Sequence, residues 1–161
     1  MRAVADTMIS IPHPYPGGEA ERYVAAQAAA LAEGRAVAFA IVERAAARLC
    51  GVAEVRDIDR EHGQAELSFW LTPAVWGRGY MTECVGALVR YGFDDLGLNR
   101  LYAHHMVRNP ASGRVLAANG FRQEGVLRQR VRKWGRYEDV VLWAVLAGDD
   151  RPPRADAGRG G

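Results

Sequence analysis

The sequence predicts a mixed α/β fold, in which a mostly antiparallel sheet contains one parallel pair of strands and is flanked by helices. Three short apolar runs follow one another closely in the first half of the chain, and strands joined so closely form antiparallel neighbours. The second half alternates strand-like and helix-like segments, and a strand–helix–strand succession implies a parallel crossover. The 161 residues, 49% of them hydrophobic, are enough for one domain with one core.

The elements of the first half follow an irregular, proline-rich opening. A helix is predicted from Glu19 to Gly34, because acidic residues occupy its first turn and Gly34 can stop it. Two strands of a hairpin are predicted at 36–42 and 49–56. A third strand is predicted at 65–71, where aromatic and β-favouring residues concentrate.

The elements of the second half begin with a helix over 82–97. Its apolar residues recur at helical spacing, and Gly97 can end it. The remaining elements are, in chain order, a strand at 98–107, a short helix between Asn109 and Gly120, and two strands that flank Trp134.

The composition favours one domain at 1–146 followed by a flexible tail at 147–161, which is rich in Pro, Gly, Arg and Asp and has no apolar periodicity. No stretch approaches the roughly 20 apolar residues of a membrane span, and the N-terminus lacks a signal-peptide pattern. We therefore expect a cytoplasmic protein with no membrane partner. Cys50 and Cys84 lie far apart and have no metal-ligand spacing, so neither a metal site nor a disulfide is expected.

The most informative segment runs from Trp76 to Glu83, between a predicted strand and an amphipathic helix. Gly77 and Gly79 let backbone N–H groups face outward with no Cβ in the way, and the first helical turn adds unpaired donors and the positive end of the helix dipole. Such a loop can bind a phosphate. For two glycines taken alone, the simpler interpretation is a tight turn with an N-cap at Thr82.

A second group of polar residues, Asn109 and Ser112, lies at the next junction of a strand with a helix. Local structure alone can explain Asn109 as an N-cap and Pro110 as the first helical residue. However, this junction and the glycine loop follow adjacent parallel strands. In open α/β sheets, ligands bind in the crevice beyond the carboxyl ends of such strands.

Three segments together resemble the GCN5-related N-acetyltransferase (GNAT) superfamily, and most closely its branch of ribosomal-protein N-terminal acetyltransferases. These segments are AELSFWLTPAVWGRGYMTECV, NPASGRVLAANGFRQEG and EDVVLWAVL. The resemblance covers roughly residues 36–146 and implies a GNAT-like fold. It also implies direct transfer of an acetyl group from acetyl-CoA to a primary amine, either a protein N-terminus or a small amine, without a metal.

The resemblance implies a role for each matched position. Contacts with acetyl-CoA are implied for Leu71, Gly77, Arg78, Gly79, Tyr80, Met81, Thr82 and Asn109. Ser112 is implied as the proton donor to the departing thiolate, and Glu66 as the group that removes the amine proton through water.

Other interpretations exist for the group that removes the amine proton. Glu66 can also be an exposed strand carboxylate without a catalytic role. His104 and His105 are further candidates because histidine titrates near neutral pH. They alternate faces of one strand, so at most one of them can face the cleft.

Two departures from the family pattern affect the expectations. Trp76 stands where the family has Gln or Arg, and Met81 stands where it has a small residue, but backbone donors should preserve the phosphate site. Relatives also begin with an extra strand, and we expect no counterpart of it here. That strand is either absent, replaced by a partner chain such as a second copy, or lost to the assignment of the start codon. Its lack would leave a sheet edge at 36–42 unpaired, so we expect the chain either to self-associate or to be incomplete at its N-terminus.

Charge adds one further expectation. A net charge of +2 gives no global attraction to nucleic acid, which is not an expected partner except through a ribosomal substrate. Arg128, Arg130 and Arg132 alternate along one strand, which predicts three positive charges on one face. That face is either ordinary solvated surface or a contact for an acidic substrate or ribosomal RNA. The competing class of function is an acyl-CoA-binding sensor or scaffold without catalysis.

Overall fold

The computed structural model describes residues 2–152 and confirms the predicted mixed α/β class. The helices of that range are α1 (Arg2–Thr7), α2 (Glu19–Ala32), α3 (Tyr80–Arg90) and α4 (Pro110–Ala118), with a 3-10 turn at Pro73–Val75 and a π-helical turn at Tyr91–Asp95. The strands are β1 (Val37–Glu43), β2 (Arg48–Asp59), β3 (Gln64–Leu71), β4 (Arg100–Met106), β5 (Arg122–Lys133) and β6 (Arg136–Leu146).

The six strands form one sheet in the order β1-β2-β3-β4-β6-β5. In the described part of the chain, only β3 and β4 pair in parallel, as the strand–helix–strand succession predicted. Their pairing runs only from Gln64 and Arg100 to Glu66 and Tyr102. Beyond that point β3 and β4 separate, each still paired with its outer neighbour. The sheet therefore has a gap in its middle.

The main core lies between the sheet and helices α3 and α4. Val85 of α3, Leu101 of β4 and Leu116 of α4 are almost completely buried there. Each such side chain stabilises the fold by roughly 1.5–3 kcal/mol. This packing fixes the N-terminal ends of α3 and α4 on either side of the gap.

The other face of the sheet carries α2, which packs loosely. Ala30 is its only buried residue. Polar contacts hold the helix instead, since the hydroxyl of Tyr23 and the amide of Gln27 both donate to the buried carboxylate of Glu54 on β2.

Element boundaries differ slightly from the prediction. Helix α3 begins at Tyr80 rather than 82, because Gly79 adopts the left-handed conformation of its N-cap. After Arg90 the helix widens into a π-helical turn that passes close to β4, where a Cβ on Gly92 would lie 2.8 Å from a side-chain carbon of Leu101. The irregular opening also contains α1, which sequence patterning did not delimit.

Part of the predicted tail lies against the domain. The N–H of Ala147 donates to the carbonyl of Asn99 at 2.9 Å, and the guanidinium of Arg151 lies 4.8 Å from the ring centre of Phe93. The rest of the predicted tail, 153–161, lies outside the described residues. Within 2–152, no helix is both long and apolar enough to cross a membrane.

Candidate functional site

A cleft of about 500 Å³ opens where β3 and β4 separate. The end of β3 and the glycine loop form one side, and the first turn of α4 forms the other. The structure brings together at this cleft most of the residues that the sequence singled out, namely Leu71, Gly77, Gly79, Tyr80, Met81, Thr82, Asn109 and Ser112. Arg78 and Glu66 do not line it.

The glycine loop presents unpaired backbone donors. Gly77 and Gly79 have φ values of 74° and 80°, in the left-handed region that favours glycine. The first backbone bond of α3 runs from Glu83 N to Gly79 O, so the N–H groups of Tyr80, Met81 and Thr82 precede the first intrahelical donor. No side chain among residues 2–152 caps this helix end. Gly79 rather than Thr82 is the N-cap, and the donors are left for an anionic ligand.

The space above the loop is open. A Cβ built on Gly77 or Gly79 would meet no heavy atom within 4 Å. Packing inside the protein therefore does not demand glycine at these two positions. The left-handed backbone demands it, and the open space allows a ligand to approach the N–H groups closely.

The side chains of Arg78 and Tyr80 both reach Glu43 at the end of β1. The Tyr80 hydroxyl donates to Oε1 of Glu43 at 3.0 Å, and Nη1 of Arg78 lies 3.4 Å from the same oxygen. The hydrogen bond from Tyr80 lowers the pKa of Glu43, and Arg48 adds to the effect. Glu43 thus anchors the loop, a role that sequence patterning missed because 37 residues separate it from Tyr80.

Trp76 occupies the position at which the family pattern has Gln or Arg. Its Nε1 donates to the carbonyl of Leu71 at 2.8 Å, and its indole lines the cleft with 46% of its surface exposed. The contact ties the loop to the last residue of β3.

Asn109 and Ser112 form a hydrogen-bonded pair at the start of α4. Nδ2 of Asn109 lies 3.0 Å from Oγ of Ser112, and a longer contact of 3.4 Å reaches the carbonyl of Thr7. The Asn109 side chain does not cap the helix. Its amide donates, so the Ser112 oxygen accepts and the hydroxyl hydrogen is free to point into the cleft.

Glu66 lies on the face of the sheet that carries α2 and is only 5% exposed. Arg56 donates to its two oxygens at 3.0 and 3.1 Å, and Nδ1 of His104 lies 2.9 Å from Oε1. Burial would raise the pKa of Glu66, but the hydrogen bonds from His104 and Arg56 outweigh burial and hold the pKa at about 2. The alternative interpretation of Glu66 as an exposed strand carboxylate is therefore wrong, because the carboxylate is buried and ionised and both of its oxygens are occupied.

The two histidines lie on opposite faces of β4, as their alternation predicted. His104 bonds Glu66 through Nδ1, and its Nε2 has no hydrogen-bond partner among residues 2–152. His105 is buried and bonded at both nitrogens, to the carbonyl of Met106 and to the indole of Trp143. Burial lowers the pKa of His105, which favours the neutral ring. His104 is thus the histidine that keeps a free nitrogen.

The N-terminal segment forms a further wall of the cleft through Thr7 and Met8. Lys133, which is 7% exposed, fixes this segment by donating from Nζ to the carbonyls of Ile11 at 2.7 Å and Ile9 at 3.5 Å. Burial lowers the pKa of Lys133.

An ion pair adds a second attachment, since Nη1 of Arg108 lies 2.9 Å from Asp6. Sequence patterning missed this wall. The one feature of the sequence that could have indicated it is that Lys133 is the only lysine in the chain.

Comparison with known proteins agrees with this architecture. The family described as acetyltransferase (GNAT) domain matches residues 1–122. An uncharacterized N-acetyltransferase, p20 of Bacillus licheniformis, is 35% identical over 114 residues, which are 71% of this chain and 64% of that protein. The chain thus spans just under two thirds of that relative.

Further relatives are named for different acceptors. A spermidine N(1)-acetyltransferase of Vibrio cholerae is 32% identical over 106 residues, covering 66% of this chain and 61% of that protein. Ribosomal-protein acetyltransferases of Escherichia coli are also among the relatives. In fold, a ribosomal-protein-S5-alanine acetyltransferase from Vibrio fischeri superposes with a TM-score of 0.80 at 24% identity, covering 93% of this chain and 83% of that one.

Proposed function

The chain belongs to the acetyltransferase (GNAT) family, and on that premise we propose that it transfers an acetyl group from acetyl-CoA directly to a primary amine, with 1–146 as the catalytic domain. The single observation that carries the proposal is the cleft between β3 and β4. It has unpaired backbone donors at the start of α3 and a hydrogen-bonded hydroxyl at the start of α4.

The residues present fit acetyl-CoA, which would supply the acetyl group as a thioester. The N–H groups of residues 80–82 and the dipole of α3 suit a pyrophosphate. The separated edges of β3 and β4 offer backbone groups to the pantetheine arm. The proposed contacts are completed by Leu71, Gly77, Gly79 and Asn109. Arg78 does not line the cleft, and its proposed role is to support the loop through Glu43.

Acetyl transfer requires two proton movements. One bond forms between the amine nitrogen and the acetyl carbon while the carbon–sulfur bond breaks, so the amine loses one proton and the sulfur gains one. Ser112 is the proposed donor to the sulfur, because Asn109 occupies its oxygen and leaves its hydrogen free.

The proposed route for the amine proton combines Glu66 with His104. Glu66 itself is a weak base while Arg56 and His104 hold both of its oxygens. It can orient His104 by accepting from Nδ1, which leaves Nε2 to take a proton. Glu66 is at the last paired position of β3, opposite Tyr102 of β4. His104 lies two residues further along β4, where the two strands have begun to separate.

The proposed acceptor is a primary amine of one of two kinds, a protein N-terminus or a polyamine. The relatives named for ribosomal proteins favour a protein N-terminus, and the relative named for spermidine favours a polyamine. The test is thiol release from acetyl-CoA with spermidine, spermine and short peptides that begin with Ser or Ala. A preference for one set identifies the class, and tight acetyl-CoA binding without turnover of any amine would support a sensor instead.

A second copy of the chain is the proposed partner at the β1 edge. Strand β1 is at one end of the sheet, and its segment 37–42 carries no charged residue and no proline that would discourage pairing. Phe39 and Val42 are exposed on this edge.

A further inference from the structure

Strands β5 and β6 carry a strongly basic segment at residues 125–137, here called the basic arm. It contains five of the 21 basic side chains and no acidic one. Four arginines in it are exposed and form no ion pair with any residue among 2–152, namely Arg128, Arg130, Arg132 and Arg136. The small net charge of the whole chain conceals this local excess.

Within residues 2–152, the acidic residues beside the basic arm form no ion pair with its arginines. Glu138 binds Arg108 at 3.1 Å, and Asp139 accepts from the backbone N–H of Gln129 at 2.7 Å. The second contact closes a bulge, in which three residues of β5 between Leu127 and Val131 face one residue of β6. The bulge interrupts the alternation that predicted three arginines on one face. Arg128, Arg130 and Arg132 are nevertheless all exposed.

Aromatic side chains accompany the arginines. Trp134 lies at the turn and is 48% exposed, and Tyr137 is 64% exposed. The guanidinium of Arg132 lies 5.8 Å from the ring centre of Tyr137. Strand β5 is at the end of the sheet and is exposed along most of its length. The arm is therefore a two-stranded ribbon that presents guanidinium groups and aromatic rings together.

We propose that the basic arm binds single-stranded RNA. Guanidinium groups match phosphate oxygens in geometry and charge, and exposed aromatic rings stack on unpaired bases. An acidic protein would use the arginines but would not need the aromatic faces beside them. This surface is separate from the acetyl-transfer cleft, so the proposal does not depend on the proposed activity.

The test is fluorescence anisotropy of a labelled oligouridine titrated with the full chain. Each phosphate contact adds about 0.7 to the salt slope for single strands, so four contacts predict that affinity falls about 50-fold between about 50 mM and about 200 mM salt. The triple variant R128Q/R130Q/R136Q should bind oligouridine much more weakly than the wild type. Its affinity should fall only about threefold over the same range of salt, because one phosphate contact remains. W134A should weaken binding without changing the salt slope, because it removes stacking and not charge.

The matched control is R22Q/R35Q/R44Q, which removes the same charge from exposed arginines outside the arm. It should bind oligouridine like the wild type. The proposal would be overturned if oligouridine did not bind at about 50 mM salt, or if the control and arm variants lost equal affinity for it. It would also be overturned if polyglutamate bound as tightly as RNA and W134A had no effect on binding. The last result would assign the arm to an acidic protein.

Discussion

Nδ2 of Asn109 donates to Oγ of Ser112 across 3.0 Å, and both side chains line the cleft where β3 and β4 separate. The two residues are one helical turn apart at the start of α4, so the helix itself sets their distance. With its oxygen engaged by an amide donor, the hydroxyl of Ser112 is left to act as a donor toward the cleft.

Replacing Ser112 with Ala should lower kcat by about 10²- to 10⁴-fold, the usual contribution of a positioned proton donor. The affinity for acetyl-CoA should hold, because the hydroxyl acts mainly in the transition state. Steady-state kinetics and calorimetry measure the two quantities. Ser10→Ala, at an exposed position outside the cleft, is the control. An S112A enzyme with unchanged kcat would remove Ser112 from the mechanism.

Replacing Gly79 with Val should abolish acetyl-CoA binding, because a side chain would project toward the open space that the phosphates need. Gly97→Val is a matched control, since Gly97 also has a positive φ and no heavy atom near its Cβ position but lies outside the cleft. Both substitutions should cost about 1–2 kcal/mol of stability through backbone strain. Calorimetric titration should distinguish them, and equal affinities would contradict a phosphate site at the loop.

The sequence predicted the parallel pair and the residues of the cleft better than it predicted the surroundings of Glu66. Gly79 and Asn109 sit at junctions of strands with helices, and such junctions show in local patterns of glycine, proline and apolar residues. The partners of Glu66 leave no such local pattern in the sequence, because Arg56 and His104 come from different strands and meet Glu66 only in the folded sheet. Lys133 and the carbonyl of Ile11 are likewise 122 residues apart.

Replacing Glu66 with Gln should destabilise the protein at neutral pH, by on the order of 2–3 kcal/mol. The folded-state pKa of about 2 lies below the usual value, so the ionised carboxylate stabilises the fold above about pH 4.5. That contribution disappears as pH falls toward 2. Denaturant unfolding at several pH values should show a flatter acid limb for E66Q than for the wild type. Glu61→Gln, at an exposed position, should leave the limb unchanged.

Replacing Lys133 with Met keeps the aliphatic stem but removes the hydrogen bonds to the carbonyls of Ile9 and Ile11. Hydrogen exchange of amides 4–11 should accelerate, and KM for the amine should rise more than kcat falls, because this segment walls the cleft. Arg44→Met, an exposed substitution elsewhere, is the control. Unchanged exchange in K133M would show that Lys133 does not hold the segment.

Replacing Val42 with Lys should convert a dimer to a monomer if a second copy pairs with the edge of β1, since a lysine on an edge strand opposes pairing. Sedimentation velocity measures the change. Val24→Lys, on the exposed surface of α2, should leave the dimer intact. A wild-type chain that sediments as a monomer throughout would refute pairing at this edge.

Acetyl transfer itself is tested most directly by following, in one reaction, the thiol released from acetyl-CoA and the mass of the amine. We expect the wild-type chain to release one thiol for each acetyl group found on a polyamine or a peptide N-terminus, and S112A to do so far more slowly. A wild-type chain that binds acetyl-CoA tightly, yet acetylates neither polyamines nor peptides, would contradict the proposed enzyme and leave a sensor of acyl-CoA.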